Sequence, residues 1–165
     1  MKILYITNDL SQIGGIEKYN KDVLNALKSE GFEYRHLQRQ AGGFFQKLLF
    51  LCHFFWLMLF SRPSLVFCSH LHHAPLCLIA KKLLGVEYFL AVYGIEIRYI
   101  GKFWYSKSAN NASRIITISE FSKSLILSNL GSHSLEKIYM LPSAVDTKTF
   151  FPKQKSTELV NKYNL

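Results

Sequence analysis

The chain has 165 residues, of which 49% are hydrophobic and 19% are charged, so it is long and apolar enough for one folded domain and is not a disordered chain. Its net charge of +9 and its pI near 9.5 indicate an anionic partner. The aromatic residues lie in apolar runs rather than between basic residues, and the longest basic run is Lys81-Lys82. These two features argue against a nucleic-acid partner and favour sugar phosphates or anionic lipid.

The cysteine pattern predicts a reduced protein of the cytoplasm. Cys52, Cys68 and Cys77 are odd in number and show no CxxC spacing, so we expect free, largely buried thiols. The apolar run after Lys2 is too short for a signal peptide.

The first twenty residues read as a strand, a loop and a helix. The apolar run Ile3–Ile6 is typical of a parallel strand buried on both faces, and a polar loop leads from it to Gly14-Gly15. From Ile16 the pattern is helical, with apolar residues that share one face at Ile16, Tyr19, Val23, Leu24 and Leu27. A helix that begins after paired glycines offers free N–H groups to an anion such as a phosphate. The alternative is a tight strand-to-helix turn that binds nothing.

The second strand does not support a nicotinamide cofactor. Gly31 is expected to cap the first helix, and a short strand follows near Glu33–Leu37. A dinucleotide site needs G-x-G-x-x-G and an acidic residue at the end of this strand, whereas the chain has I-G-G-I-E in the loop and Gln38-Arg39 at the strand end. A dinucleotide-binding domain is therefore a minor alternative.

Residues 44–60 form the most apolar stretch of the chain. Between Leu48 and Phe60 only His53 is polar, and a helix of this length, about 20 Å, is too short to span a hydrocarbon core of about 30 Å. The helix is therefore either packed into the domain with an apolar outer face or placed at a membrane interface. Lys47 and Arg62 near its ends are compatible with the second interpretation.

A third strand, Leu65–Cys68, leads into a histidine-rich segment. Metal is disfavoured there, because no carboxylate or cysteine stands at ligand spacing from His70, His72 and His73. We expect His70 at the carboxyl end of the strand, where open α/β sheets bind ligands. The alternative is a surface histidine that caps the next helix, which runs from Pro75 to Leu84.

The fourth strand, Val86–Tyr93, ends at a second candidate site. Gly94 lets the backbone approach a ligand closely, and Glu96 is placed to accept hydrogen bonds from hydroxyl groups. The alternative for Glu96 is a solvated loop carboxylate.

The remaining elements complete an α/β fold with a parallel sheet of about six strands. We expect a short helix within Arg98–Asn111, a strand over Arg114–Ile118 and a helix through Leu130 that Ser119 caps. A sixth strand, Ile138–Leu141, is followed by a turn-rich tail whose last helical piece is Glu158–Tyr163. We expect one domain over residues 1–142, doubly wound because helices alternate with strands, and a linker over residues 143–165.

Taken together, these segments resemble the amino-terminal half of the family 4 (group 1) retaining glycosyltransferases, which have the GT-B fold of two facing Rossmann-like domains. The resemblance covers residues 1 to about 152 and consists of motifs in order: K-I-L-Y-I-T at the start, G-G-I-E-K-Y at 14–19, L-V-F-C-S-H at 65–70, Y-G-I-E at 93–96, R-I-I-T-I-S-E-F-S-K at 114–123 and I-Y-M-L-P-S-A-V-D at 138–146. No single motif is decisive; the order and spacing of all six carry the resemblance.

The resemblance implies transfer of a sugar from a nucleotide-diphosphate sugar to an acceptor hydroxyl, with retention and without a metal or another cofactor. It implies that Gly14 and Gly15 approach the donor diphosphate. The acceptor and sugar side would be lined by His70, Tyr93, Gly94 and Glu96, and Glu17 and Ser119 would lie in the cleft, although Ser119 also has its capping role.

The chain departs from the family pattern at three places. Tyr93 stands where many members have a histidine, and a tyrosine cannot carry a proton in the same way near neutral pH. Pro142-Ser143-Ala144-Val145-Asp146 replaces the usual P-N-G-V-D. The second domain, which carries the E-x7-E motif and grips the nucleotide, has no counterpart, so we expect it to be absent or separately encoded and the chain alone to be inactive.

The resemblance and the basic, apolar composition together predict a setting. We expect a glycan or lipid-linked acceptor in cell-surface polysaccharide or glycolipid synthesis, at the inner face of an anionic membrane. The alternative from another class is a non-catalytic domain that binds a membrane or a partner. The sugar, the nucleotide base, the acceptor and the linkage are not encoded in these patterns.

Overall fold

The computed structural model describes residues 1–152 and 157–164. The described residues form one sheet of six parallel strands in the order β2-β1-β3-β4-β5-β6. The strands are β1 (Lys2–Asn8), β2 (Glu33–Arg39), β3 (Leu65–Cys68), β4 (Glu87–Ala91), β5 (Arg114–Thr117) and β6 (Ile138–Met140). The amino-terminal strand thus lies inside the sheet, with β2 on one side and β3 on the other.

A helix follows each of the first five strands. The helices are α1 (Gly15–Ser29), α2 (Phe44–Phe60), α3 (Ala74–Leu84), α4 (Phe103–Asn111), α5 (Glu120–Leu130) and α6 (Thr157–Tyr163). Three 3₁₀ turns, over Leu71–His73, Ile95–Tyr99 and Ser132–Lys137, were not expected from the sequence.

The helices cover the two faces of the sheet unequally. A large core joins the sheet to buried side chains of α2, α3, α4 and α5, whereas a smaller one joins it to α1 through Tyr19. Right-handed crossovers explain the division. The chain moves across the sheet in one direction from β1 to β2 and in the opposite direction from β2 to β6, so α1 lies on one face and α2 to α5 lie on the other. The predicted Rossmann-like doubly wound sheet is confirmed.

The carboxyl ends of four strands differ from the prediction. β4 ends at Ala91 rather than Tyr93, because the N–H of Tyr93 donates to Glu96 Oε1 at 3.4 Å instead of to a neighbouring strand. β5 and β6 each end one residue early, and β2 continues to Arg39 rather than stopping at Leu37.

Helix α2 has the predicted bounds but is only partly a core helix. Phe54, Leu57 and Met58 are buried, while most of its other apolar side chains are exposed. Cys52 is also exposed, so the expectation of buried thiols holds for Cys68 and Cys77 alone; all three thiols are free.

The predicted linker, residues 143–165, is described in part. Residues 153–156 and 165 lie outside the described residues. Asp146 closes a turn in which its carboxylate accepts from the N–H of Lys148 at 2.9 Å and from the hydroxyl of Thr149 at 2.7 Å. The last helix begins at Thr157, one residue before the predicted start.

Candidate functional site

The predicted site residues follow the carboxyl ends of four strands, which lie at the same edge of a parallel sheet. Gly14 follows β1, His70 follows β3, Glu96 follows β4 and Ser119 follows β5. Adjacent strands β1, β3, β4 and β5 therefore bring segments that are distant in sequence to one edge, where open α/β sheets bind ligands.

The amino end of α1 is formed by the paired glycines. Gly14 is the residue before the helix and has extended backbone angles, and no side chain caps the helix. Gly15 is exposed, and open space surrounds the position of a side chain there. The first N–H groups of a helix have no partner within the helix, so this end offers donors and a partial positive charge to an anion.

The carboxylate of Glu17 lies against this helix end. A Cβ built on Gly14 would lie 2.1 Å from Glu17 Oε2, so only a glycine leaves the carboxylate room in its observed position. An acidic side chain in the first turn stabilises a helix. It also places a negative charge where a phosphate would approach, so a bound phosphate requires the side chain to turn aside.

His70 and Glu96 face each other at the next positions along the edge. Nε2 of His70 lies 3.8 Å from Oε2 of Glu96, which is longer than a hydrogen bond. Glu96 is 2% exposed, so the alternative of a solvated loop carboxylate is wrong. Its Oε2 has no hydrogen-bond partner among the described residues.

Burial governs the protonation of this pair. Burial raises the pKa of Glu96 to about 7, although the N–H groups of Tyr93 and Leu71 oppose the shift. Burial, reinforced by electrostatic repulsion from His72 and Arg39, lowers the pKa of His70 to about 4. Desolvation thus outweighs the attraction between opposite charges at 3.8 Å, and near neutral pH His70 is uncharged.

The hydrogen bonds of His70 define its tautomer. Its Nδ1 accepts from the N–H of His72 at 3.2 Å, so it caps the 3₁₀ turn as well as lining the edge. A neutral imidazole that accepts at Nδ1 carries its proton at Nε2. His70 therefore presents an N–H donor towards Glu96 and the space beside it.

A second buried histidine supports the first. His73 is 5% exposed, its Nε2 lies 2.9 Å from Oδ1 of Asn8, and its ring centre lies 6.2 Å from that of His70. Burial and the neighbouring charges lower the pKa of His73 to about 3. The two imidazoles are therefore neutral, and they fix the chain between β3 and α3.

Tyr93 lies at the edge, but its hydroxyl is directed into the core. The hydroxyl donates to Asn20 Oδ1 at 3.3 Å, and the same oxygen accepts from the hydroxyl of Tyr5 at 2.8 Å. The amide of Asn20 donates to the carbonyl of Ile16 at 2.8 Å, and the ring of Tyr19 packs edge-on against Tyr93. Burial raises the pKa of Tyr93 well above its usual value, so the phenol stays protonated.

Ser119 performs the capping role predicted for it. Its Oγ accepts from the N–H of Ser122 at 3.2 Å at the start of α5. The hydroxyl of Ser122 donates in turn to the carbonyl of Tyr93 at 3.3 Å. Ser119 is thus linked to the loop after β4 through the cap.

Three cavities connect these positions along the edge. A cavity of about 220 Å³ is shared by α1 and the loop after β4, with Gly15 and Gly94 in its lining. A smaller one of about 60 Å³ joins Glu17 to His70. A third, of about 340 Å³, lies on the outer side of Glu17 and is lined also by Arg39. The first turn of α1 therefore borders one cavity shared with Gly94 and another shared with His70, whereas Glu96 lines none of the three.

Sequence reasoning missed two residues that shape this edge. Asn20 is a polar residue within the apolar face of α1, and that interruption was the available signal for a buried hydrogen-bond network. Arg39 was noted only as standing where a dinucleotide site needs an acidic residue, whereas it lines the cavity beside Glu17 and helps to lower the pKa values of His70 and His73. Within residues 1–152 and 157–164, no three metal-ligating side chains form a group that could hold a metal ion.

The fold is similar to that of several solved structures at low sequence identity. HepE from Anabaena, solved in complex with UDP and glucose, has a TM-score of 0.63 and 14% identity, over 99% of this chain and 50% of that one. The lipopolysaccharide outer core galactosyltransferase WaaB, in its apo form, has a TM-score of 0.64 and 17% identity, over 90% and 47%. A glycosyltransferase from Rickettsia africae has a TM-score of 0.51 and 17% identity, over 99% and 49%.

These comparisons define the fold. The chain spans about half the length of the structures that it matches, and its sheet and flanking helices match one half of a GT-B glycosyltransferase fold. No protein-family model matches the sequence, and no curated protein sequence matches it.

Proposed function

We propose that this chain is the acceptor-side half of a retaining glycosyltransferase of family 4 (group 1), which transfers a sugar from a nucleotide-diphosphate sugar to an acceptor hydroxyl. The observation that carries the proposal is the opening of the α1 amino end into cavities shared with His70 and Gly94. The complexes of the Anabaena protein with UDP and UDP-glucose support this choice of donor. The order of the six sequence motifs supports the family and hence retention.

The glycine turn would face the donor diphosphate. Negative charge grows on the leaving diphosphate during transfer, and preorganised N–H groups at Gly14 and Gly15 would stabilise it. Glu17 would turn away from Gly14 when the diphosphate binds, because two negative charges at one helix end repel each other. The opposing cations would come from a second, donor-gripping domain.

His70 and Glu96 would bind hydroxyl groups of the acceptor or of the transferred sugar. His70 offers an N–H donor, and the unpartnered Oε2 of Glu96 accepts when ionised and donates when protonated. Oε2 of Glu96 is buried 3.8 Å from Nε2 of His70, so a hydroxyl group would reach both atoms only after the surrounding side chains move. Tyr93 would contribute its ring and backbone rather than its hydroxyl, and Gly94 would let a sugar approach the chain.

No residue of this half needs to hold a metal or another cofactor for the proposed reaction. We place the reaction in cell-surface polysaccharide or glycolipid synthesis at the inner, cytoplasmic face of a membrane. The net charge of +9 and the exposed apolar side chains of α2 support that setting. We find no helix among the described residues that is long and apolar enough to cross a bilayer.

Titration of the ¹⁵N-labelled chain with UDP tests the proposal. We expect weak binding, with amide shifts concentrated at Gly14, Gly15 and Gly94. The amide of Gly131, a glycine before a 3₁₀ turn at another place in the fold, should not move. Shifts with NAD but not UDP, or no shift at the glycine turn, would contradict the proposal.

The alternative from another class is a domain that keeps the fold but binds a membrane or partner without catalysis. The internal hydrogen bond of the Tyr93 hydroxyl favours it, because that group is then withdrawn from substrate. The two proposals differ when a donor-gripping domain is supplied in trans: restored transfer from a UDP-sugar supports the transferase half, and UDP binding without transfer supports the alternative.

A further inference from the structure

Helix α2 is packed against the domain on one side only. Phe54, Leu57 and Met58 are buried in the main core. Eight large apolar side chains of the same helix are exposed: Phe44, Phe45, Leu48, Leu49, Leu51, Trp56, Leu59 and Phe60. An apolar surface of this extent is rare on a monomeric soluble protein and marks an interaction surface.

The charges in the chain segment that carries this helix are of one sign. No aspartate or glutamate occurs between Glu33 and Glu87, whereas that stretch contains Arg35, Arg39, Lys47, Arg62, Lys81 and Lys82. Of the two glutamates at its limits, Glu87 is paired with Lys81 at 2.7 Å. The segment that carries α2 is therefore positive, which complements anionic lipid headgroups at about 1 kcal/mol for each basic residue close to the surface.

The dimensions of α2 suit a helix that lies in a membrane interface. Its seventeen residues extend about 25 Å, which is too short to cross a bilayer and sufficient to lie along one. Aromatic side chains such as Trp56 and Phe60 are favoured at the depth of the headgroups. Lys47 can extend its amino group to the phosphates while its stem remains among apolar side chains.

One side chain connects α2 to the candidate site. The ring of Phe50 on α2 packs against the ring of His73, with centres 5.2 Å apart, and His73 in turn neighbours His70. A loop of four residues, 40–43, separates the end of β2 from the start of α2, so the first turn of α2 lies towards the carboxyl edge of the sheet. A surface in contact with α2 would therefore lie close to the residues proposed to bind the acceptor, because His73 is the side chain that connects Phe50 to His70.

We propose that the outward face of α2 docks on an anionic bilayer and thereby presents the carboxyl edge of the sheet to a lipid-linked acceptor. The choice of acceptor rests on the proposed transferase function, whereas the docking stands on the exposed apolar face and the surrounding positive charge. The occupant is a lipid surface rather than a second copy of this chain, because two copies would bring together faces that are both positive.

Sedimentation with vesicles tests the docking. We expect the chain to partition at least about tenfold more strongly onto phosphatidylglycerol-containing vesicles than onto pure phosphatidylcholine. The variant Phe45→Glu/Leu49→Glu, at exposed positions, should lose about tenfold or more of that binding. The control Asn25→Glu/Ser29→Glu makes the same change in net charge at the same spacing on exposed positions of α1, and it should retain most of the binding.

The two tryptophans report which surface enters the lipid. Trp56 on α2 is 50% exposed and Trp104 on α4 is 61% exposed. In the Trp104→Phe variant, brominated acyl chains should quench the emission of Trp56. Quenching of Trp104 in the Trp56→Phe variant, without quenching of Trp56, would overturn the assignment of the surface to α2.

The remaining outcomes distinguish a failure of the docking proposal from a failure of the transferase proposal. Equal binding of both charge variants, or no preference for anionic vesicles, would overturn the proposal, as would a stable dimer in solution that Phe45→Glu/Leu49→Glu dissociates. The UDP titration without vesicles is independent of all these measurements. A chain that binds UDP but no vesicles contradicts only the docking, and a chain that binds vesicles but no UDP contradicts only the transferase half.

Discussion

Nε2 of His70 and Oε2 of Glu96 lie 3.8 Å apart at the carboxyl edge of the sheet, yet neither group is expected to be fully charged near neutral pH. Each is more costly to ionise when buried than in water. In the proposed function the pair would bind hydroxyl groups, and its pattern of donors and acceptors would change with pH.

Glu96→Gln should change how stability depends on pH. The folded protein holds the Glu96 proton up to about pH 7, whereas the unfolded chain releases it near 4.5, so the wild type loses stability as pH rises through this window. The loss above pH 7 is about 3 kcal/mol. We expect the free energy of unfolding of the variant, measured in urea titrations, to increase relative to that of the wild type as the pH rises from 5 to 8. A constant difference would contradict the raised pKa.

The buried histidines should act in the opposite direction. Their folded-state pKa values, about 4 for His70 and about 3 for His73, lie below the ordinary value of 6.5, so the unfolded chain binds more protons between these limits. Stability should therefore fall as pH decreases from about 6.5. In the Glu96→Gln background, we expect the added substitution His73→Gln to make the free energy of unfolding less dependent on pH between pH 6 and pH 4. The change in slope should correspond to about one bound proton. An unchanged slope would contradict this assignment.

Asn20→Leu should destabilise the fold by about 3 kcal/mol, because it leaves the hydroxyls of Tyr5 and Tyr93 without their acceptor. The measurement is the free energy of unfolding in urea. Asn25→Leu, an exposed position on the same helix, serves as the control and should change stability by less than about 0.5 kcal/mol. Similar losses in the two variants would exclude a role for the buried network.

Glu17→Gln should strengthen the binding of UDP several-fold if the diphosphate binds at the amino end of α1. The substitution removes a negative charge beside Gly14 and leaves the shape of the side chain almost unchanged. It should also reduce the stability of α1 by about 0.5 kcal/mol, since an acidic residue favours a helix amino end. Unchanged affinity in the UDP titration would place the diphosphate elsewhere.

A thiol reagent should modify one cysteine of the folded chain. Cys52 is exposed on α2, while Cys68 and Cys77 are buried, and burial together with the neighbouring Cys68 raises the pKa of Cys77. We expect one fast thiol in the native state and three in urea, with mass spectrometry locating the label at Cys52. Anionic vesicles should slow this reaction if α2 docks on lipid.

The parts of the fold set by local patterns were predictable. The bounds of α2 and β3 follow from predominantly apolar runs, and the capping of α5 follows from Ser119 and Glu120. The ends of β4 were not predictable, because the N–H of Tyr93 is withdrawn from the sheet by a carboxylate three residues later. Such a turn leaves no periodic signal in the sequence.

The candidate site was predictable in its members but not in their orientation. His70 and Glu96 could be placed at strand ends by order along the chain, yet their facing geometry depends on the neighbouring positions of β3 and β4 in the sheet. The inward hydroxyl of Tyr93 depends on Asn20, which comes 73 residues earlier. Tertiary contacts of this kind are not encoded in local spacing.

The interior position of β1 has a practical consequence for handling this protein. Strand β1 precedes both of its neighbours along the chain and pairs with residues 33–39 and 65–68. Removing its first residues would damage an interior strand, the second from one edge, rather than trim an edge strand. A purification tag added before Met1 would emerge from the opposite end of the strands, about 20 Å from the glycine turn, and should leave ligand binding intact.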